Sequence, residues 1–149
     1  MKVWQVMQKN PLVITPDTNF SQAWDLLFQK HKHSLPVVDK KNKLVGIVAI
    51  EDVVKQLYPS YSDTLEEFLQ ESTFDDLEDK IDDIKYKKVE KFMNKLVVCT
   101  FKDDPALKAL SKMVVKRVRQ LPVIDYDETL LGIVSKRDIF DKLFRSKKS

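Results

Sequence analysis

The sequence predicts an α/β (α+β) protein built from two copies of one β-α-β-β-α unit, with an acidic helical insert between them. Three observations carry this prediction. The segment 36–57, PVVDKKNKLVGIVAIEDVVKQL, lies over 122–143, PVIDYDETLLGIVSKRDIFDKL, without a gap, and nine of the 22 positions are identical. The only two glycines of the chain, Gly46 and Gly132, stand 86 residues apart in the same Leu-x-Gly-Ile-Val context, although average usage is about one glycine in fourteen. Within each copy, the apolar pattern also alternates between strand-like runs and helical spacing.

Each copy opens on a short β run, LVIT at 12–15 and LVVCTF at 96–101. A helix-capping signal follows: Asp17 or Thr18 in the first copy, and Asp104 with Pro105 at the first helical position in the second. The next stretch spaces Phe20, Ala23, Trp24, Leu27 and Phe28 in the first copy, and Leu107, Leu110, Met113, Val114 and Val118 in the second. This spacing predicts helices, and Trp24 and the phenylalanines are assigned to the core. LPVVD with LVGIVAI, and LPVID with LLGIVS, then read as strand pairs joined by polar turns. Proline near the start of a strand is tolerated there, because it need not donate to the ladder. IEDVVKQLY and KRDIFDKLF close the copies as helices. Each unit has an apolar face too large to leave in water, and stacking the two buries it. Leu35 with Leu121 and Met7 with Met93 extend the same offset. The glycines fit either a strand passing close to another backbone or ligand, or a bulge.

The copies span 1–57 and 89–145, separated by the insert 58–88 and followed by a basic tail, 146–149, expected to be disordered. Ten acids and one base lie between residues 60 and 84, a local charge of −9 that leaves +12 on the rest of a chain whose total is +3. In the insert, Leu65, Phe68 and Leu69, then Leu77, Ile81 and Ile84, predict two short acidic helices. They serve either as a solvated connector or as an arm that docks a partner.

No apolar run approaches the ~18 residues of a membrane span, and MKVWQVMQKN carries no signal-peptide core. The single cysteine, Cys99, cannot close an internal disulfide and fits a reducing cytoplasm. His31 and His33 would share one strand face but lack a third ligand, so no metal is expected. No glycine-rich phosphate loop, nucleophile elbow or spaced Cys/His set is present, and no catalytic residue is assigned. The total of +3 gives no argument for nucleic acid, which the +12 body leaves only as an alternative.

Leu-Pro-Val-Val-Asp, a turn, Leu-Val-Gly-Ile-Val and then Ser/Thr-x-x-Asp, repeated in register, resemble the cystathionine-β-synthase (CBS) domain, which occurs in tandem pairs. The resemblance covers 3–57 and 90–145. It implies two pseudo-twofold-related units packed through their sheets as a stand-alone regulatory pair. It also implies an adenosine-containing effector (AMP, ADP, ATP or S-adenosylmethionine), no obligatory cofactor, a homodimer and a separate regulated protein. In such a site Asp138 takes the ribose hydroxyls, Ser135 with Lys136 and Arg137 faces phosphate, and Arg119 and Val118 line the cleft. Ile14 and Thr15 are contributed from the other copy. A second, weaker cleft would use Asp52, His33, Cys99 and Thr100, with Ala49 in place of the serine and Glu51 repelling phosphate.

The same residues admit a structural reading. Ser135 followed three positions later by Asp138 is also a capping box, and the basic residues are also an ordinary solvated face. For dimerisation the sequence offers Val53, Val54 and Leu57 on one closing helix and Ile139, Phe140, Leu143 and Phe144 on the other.

Overall fold

The computed structural model describes residues 1–58 and 74–146. Two one-turn 3-10 segments, Val3–Gln5 and Val89–Lys91, precede the two copies. The first copy then gives β1 (Gln8–Lys9), α1 (Phe20–Gln29), β2 (Ser34–Val38), β3 (Leu44–Ala49) and α2 (Ile50–Leu57). The insert contributes α3 (Phe74–Lys85). The second copy supplies β4 (Thr100–Phe101), α4 (Ala106–Lys116), β5 (Gln120–Ile124), β6 (Leu130–Ser135) and α5 (Lys136–Ser146). This is the mixed α/β architecture that the repeat predicts. The second acidic helix of the insert is α3, with Ile84 buried and Ile81 exposed. The first, around Leu65, Phe68 and Leu69, and the tail from residue 147 lie outside the described residues.

The chain forms two compact units that interleave in sequence. Unit 1 is Met1–Val13, Val38–Val45 and Leu96–Ser149, and unit 2 is Ile14–Val37 and Gly46–Lys95. Each unit therefore joins the body of one copy to the leading segment of the other. In unit 1 a four-stranded sheet runs β1-β6-β5-β4, with β1/β6 and β5/β6 antiparallel and β4/β5 parallel. Unit 2 repeats that order at reduced length. Its core is the β2/β3 pair, flanked by the single bridges Ile47–Asn94 and Ile14–Val37.

The 86-residue offset holds down to individual backbone bonds. Val3 N–H donates to Asp104 O at 2.9 Å, as Val89 N–H does to Thr18 O at 2.8 Å. Ala106 N–H donates to Met1 O and Phe20 N–H to Lys87 O, both at 2.9 Å. His31 and Arg117 both take a left-handed backbone (φ 52° and 56°), as do Asn42 and Glu128 (φ 62° and 71°). Within unit 1, Lys43 bridges Thr129, its own repeat equivalent. Leu44 N–H donates to Glu128 O while Leu130 N–H donates to Asn42 O, both at 3.0 Å. A local twofold axis thus passes between these two turns, and beneath them Val38, Ile124 and Leu130 form a small cluster with Leu44, Cys99 and Phe101.

The main core of unit 1 gathers Val3, Ala106, Ala109, Met113, Leu121, Val123, Val134 and Ile139. Ile139 is fully buried, so it leaves the apolar surface that the sequence offers for dimerisation. Unit 2 buries Phe20, Ala23, Leu27, Leu35, Val37, Val48, Val89 and Phe92, with Phe20 and Phe92 edge to face at 6.2 Å.

Four local expectations are corrected. The leading β runs shrink to a single bridge at Ile14 and to two residues at Thr100–Phe101. A ladder extends only where a partner backbone runs beside it, and β5 offers β4 only Val123 and Ile124. The cap of α1 is Asn19, whose side chain accepts from Gln22 N–H at 2.9 Å while Gln22 Oε1 accepts from Asn19 N–H at 3.2 Å. Asp17 and Thr18 are used one step earlier: Thr15 donates its hydroxyl to Asp17 and its N–H to Thr18 Oγ1.

Pro105 occupies the cap of α4 rather than its first turn, because Asp104 is drawn back to accept from Phe101 N–H and the Thr100 hydroxyl. Finally, Trp24 and Phe28 are 43% and 70% exposed, and Leu107 and Val114 are likewise on the outside. The apolar stripe of each helix is wider than the face that is covered, and the alanines Ala23, Ala106 and Ala109 are fully buried instead.

Candidate functional site

The junction from β6 into α5 holds the densest set of expected site residues. Asp138 N–H donates to Ser135 Oγ, and Ser135 N–H donates to Asp138 Oδ2, each at 3.0 Å. This is a reciprocal capping box: two donors that the helix start would leave unpaired are satisfied by the two side chains. Both oxygens of Asp138 also accept from Gln8 Nε2, at 3.2 and 3.3 Å. Lys136 N–H donates to Arg119 O at 3.2 Å, which ties the head of α5 to the start of β5. Lys136 is half-buried, Arg137 and Arg119 are exposed, and Val118 is half-buried beyond α4, its N–H donating to Met113 O. Six of the eight expected main-site residues therefore belong to unit 1. Ile14, 5% exposed, and Thr15 belong to unit 2.

The first copy repeats the junction with one half missing. Asp52 Oδ2 accepts from Ala49 N–H at 2.8 Å, but Ala49 has no side-chain acceptor to return. Burial pushes the Asp52 carboxyl above the usual carboxylate range, against the lowering effect of that backbone bond. His33 lies just before β2 and His31 ends α1 in a left-handed turn, so the two imidazoles do not share a strand face. Among the described residues, no group of three or more His, Cys, Asp or Glu is placed to hold a metal.

Cys99 is half-buried ahead of β4, and burial raises its thiol. Thr100 is 1% exposed and gives its hydroxyl to Asp104 at 2.8 Å. Burial works to raise Asp104, but hydrogen bonds from Phe101, Thr100 and Lys108 hold it below the usual range. Thr100 is thus committed to organising its own turn.

The glycines have a common reason. A Cβ on Gly132 would stand 2.5 Å from Gln8 O and 3.0 Å from Met7 Sδ; on Gly46 it would stand 2.6 Å from Met93 Sδ and 3.3 Å from Asn94 O. Close backbone approach is the reading the structure selects, with a bulge directly beside it: Val123 faces Gly132 and Ile124 faces Leu130, leaving Leu131 as the extra residue. Gln8 and the leading 3-10 turns are what the sequence reading missed, although Met7 and Met93 at the repeat offset mark where they lie.

Two concavities lie away from these aspartates. One of about 460 Å³ is lined by Gln56, Tyr86, Lys87, Lys88, Lys91 and Phe92. The other, of about 250 Å³, includes Asn10, Val13, Asn42 and Leu130. Among the described residues, no helix is long and apolar enough to cross a membrane.

A family model for the CBS domain matches residues 3–59 and 89–145. The chain is 32% identical over 152 residues to uncharacterized protein MJ1426 of Methanocaldococcus jannaschii, covering 92% of this chain and 88% of that protein. It is 31% identical over 141 residues to inosine-5'-monophosphate dehydrogenase of the same organism, where 95% of this chain spans only 23% of the relative's length.

Among solved structures, CBSX2 of Arabidopsis thaliana in complex with AMP superposes with a TM-score of 0.76 at 23% identity, over 99% of this chain and 98% of that one. The CBS domain pair of protein MJ0100, in complex with 5'-methylthioadenosine and S-adenosyl-L-methionine, gives 0.69 at 25% identity, again over 99% and 98%.

Proposed function

The chain belongs to the CBS-domain family, and from that premise we propose that it is a non-catalytic regulatory module whose effector is an adenosine-containing ligand held at the Asp138 end of unit 1. The observation that carries this reading is the Ser135–Asp138 junction. It presents a carboxylate suited to accepting from both hydroxyls of a ribose, beside a helix start flanked by Lys136 and Arg137. Arg119 and Val118 are its proposed neighbours. The ligands seen in similar pairs, AMP in one and S-adenosylmethionine with methylthioadenosine in the other, support the same chemical class.

Phosphate is the favoured distal group, because Lys136 and Arg137 supply charge that Ile50 and Glu51 do not. The chain would report occupancy to a separate protein, as a homodimer whose surface includes Phe140 and Phe144, 43% and 76% exposed and stacked at 6.1 Å. The lone thiol of Cys99 supports a reducing, cytoplasmic setting.

Thermal unfolding with AMP, ATP and S-adenosylmethionine tests the reading. A ligand at 100 times its Kd should add about 2.7 kcal/mol and be recovered unchanged. Turnover of the ligand, or no shift with any adenosyl compound, overturns it. Analytical sedimentation that finds only monomer at tens of micromolar sinks the dimer.

A further inference from the structure

We propose that Gln8 is a built-in competitor for the effector site, its carboxamide occupying the Asp138 oxygens that a ribose needs. This rests on the reading of Asp138 as the ribose-binding carboxylate. Gln8 Nε2 lies 3.2 Å from Asp138 Oδ1 and 3.3 Å from Oδ2, so one amide group straddles both carboxylate oxygens. A vicinal diol brings two O–H donors to the same pair of acceptors. Each carboxylate oxygen has room for more than one hydrogen bond, but Oδ2 already accepts from Ser135 N–H at 3.0 Å. The diol and the carboxamide therefore contend for what is left.

The surroundings decide which part of Gln8 moves. Its backbone is fixed: β1 pairs Gln8 with Ile133 and Lys9 with Gly132, and the Gln8 carbonyl is the atom that a Cβ on Gly132 would strike. The side chain is exposed and free to rotate into solvent. Displacement is thus a rotamer change on an anchored strand, with no loss of sheet pairing.

The residue type at this position differs between the copies. The repeat equivalent of Gln8 is Asn94, bridged to Ile47 as Gln8 is to Ile133, and its amide is one methylene shorter. Asp52 accepts from Ala49 N–H, as Asp138 does from Ser135 N–H.

Calorimetry of the full chain with AMP tests this. Gln8→Ala should bind AMP on the order of threefold more tightly than the parent, the low end of the net worth of a single solvent-exposed hydrogen bond. Weaker or unchanged binding in Gln8→Ala, with the parent still binding, overturns the competitor and leaves the effector site standing. No binding in either protein removes the effector reading and the competitor with it. In parallel, the Gln8 side-chain amide resonance should shift on AMP addition as the group leaves Asp138. A resonance that does not respond to saturating AMP also overturns the proposal.

Discussion

The two helix starts, Ser135-Lys-Arg-Asp138 and Ala49-Ile-Glu-Asp52, sit on the same backbone and do different work. Both aspartates accept from the N–H three residues back, at 3.0 and 2.8 Å. Only the second copy returns the bond, through Ser135 Oγ, and there the Gln8 side chain also donates to the carboxylate. Asp52 is pushed upward by burial beside an alanine that offers it one bond and takes none. A duplicated fold can keep a residue for its role in shaping the helix while the side chains around it change. Asp52 and Asp138 are the same letter in the same register, and the side chains around them set the chemistry.

The largest break in this comparison should come from the aspartates. Asp138→Ala is expected to abolish calorimetric AMP binding, since charged hydrogen bonds of this kind are worth about 1.5–3 kcal/mol each. Asp52→Ala should leave most of it. Two equal sites per chain, or greater damage from Asp52→Ala, would return Ser135 and Asp138 to a purely capping role.

The glycines come next, and they should differ too. Gly132→Ala places a Cβ against a backbone oxygen, which cannot yield without shifting β1, and should cost about 2 kcal/mol or more in urea unfolding. Gly46→Ala meets chiefly the flexible end of Met93 and should cost about half as much. Equal losses would mean that the leading segments are held less differently than their contacts indicate.

A smaller effect sharpens the contrast by conversion. Ser135→Ala should lose, and Ala49→Ser gain, about 1 kcal/mol of stability from the N-cap bond. Ala49→Ser combined with Glu51→Arg should also strengthen AMP binding at the first copy, visible as a second calorimetric step. A flat titration would show that the hydroxyl and the charge are not what the first copy lacks.

The smallest effect is in pH. The folded Asp52 carboxyl sits above its unfolded value, so the folded state holds its proton longer. Stability should therefore fall as pH rises from the ordinary carboxylate value through the raised folded one. Asp52→Asn should lack that slope in chemical denaturation run across the window, while the opposite slope that the lowered Asp104 contributes below the ordinary carboxylate value stays. A parent and a variant with identical pH profiles would contradict the assignment.

The sequence by itself determined the duplication, the strand pairs β2/β3 and β5/β6, the closing helices and the register of Ser135 with Asp138. These depend on periodicity and on residues near in sequence, which a repeat doubles into a clear signal. It did not determine which cap begins α1, because Asp17, Thr18 and Asn19 are all competent and the choice fell to the turn that Thr15 closes. Nor did it separate Leu27 from Phe28, because an apolar stripe does not state how much of itself a sheet will cover.

Only the tertiary structure decided that each unit takes its leading segment from the other copy's sequence, setting Met7 and the Gln8 backbone against Gly132 and Met93 against Gly46. The physical reason is distance along the chain: Gln8 and Asp138 are 130 residues apart. No local preference encodes a hydrogen bond between groups that only the closing of the whole fold brings within reach.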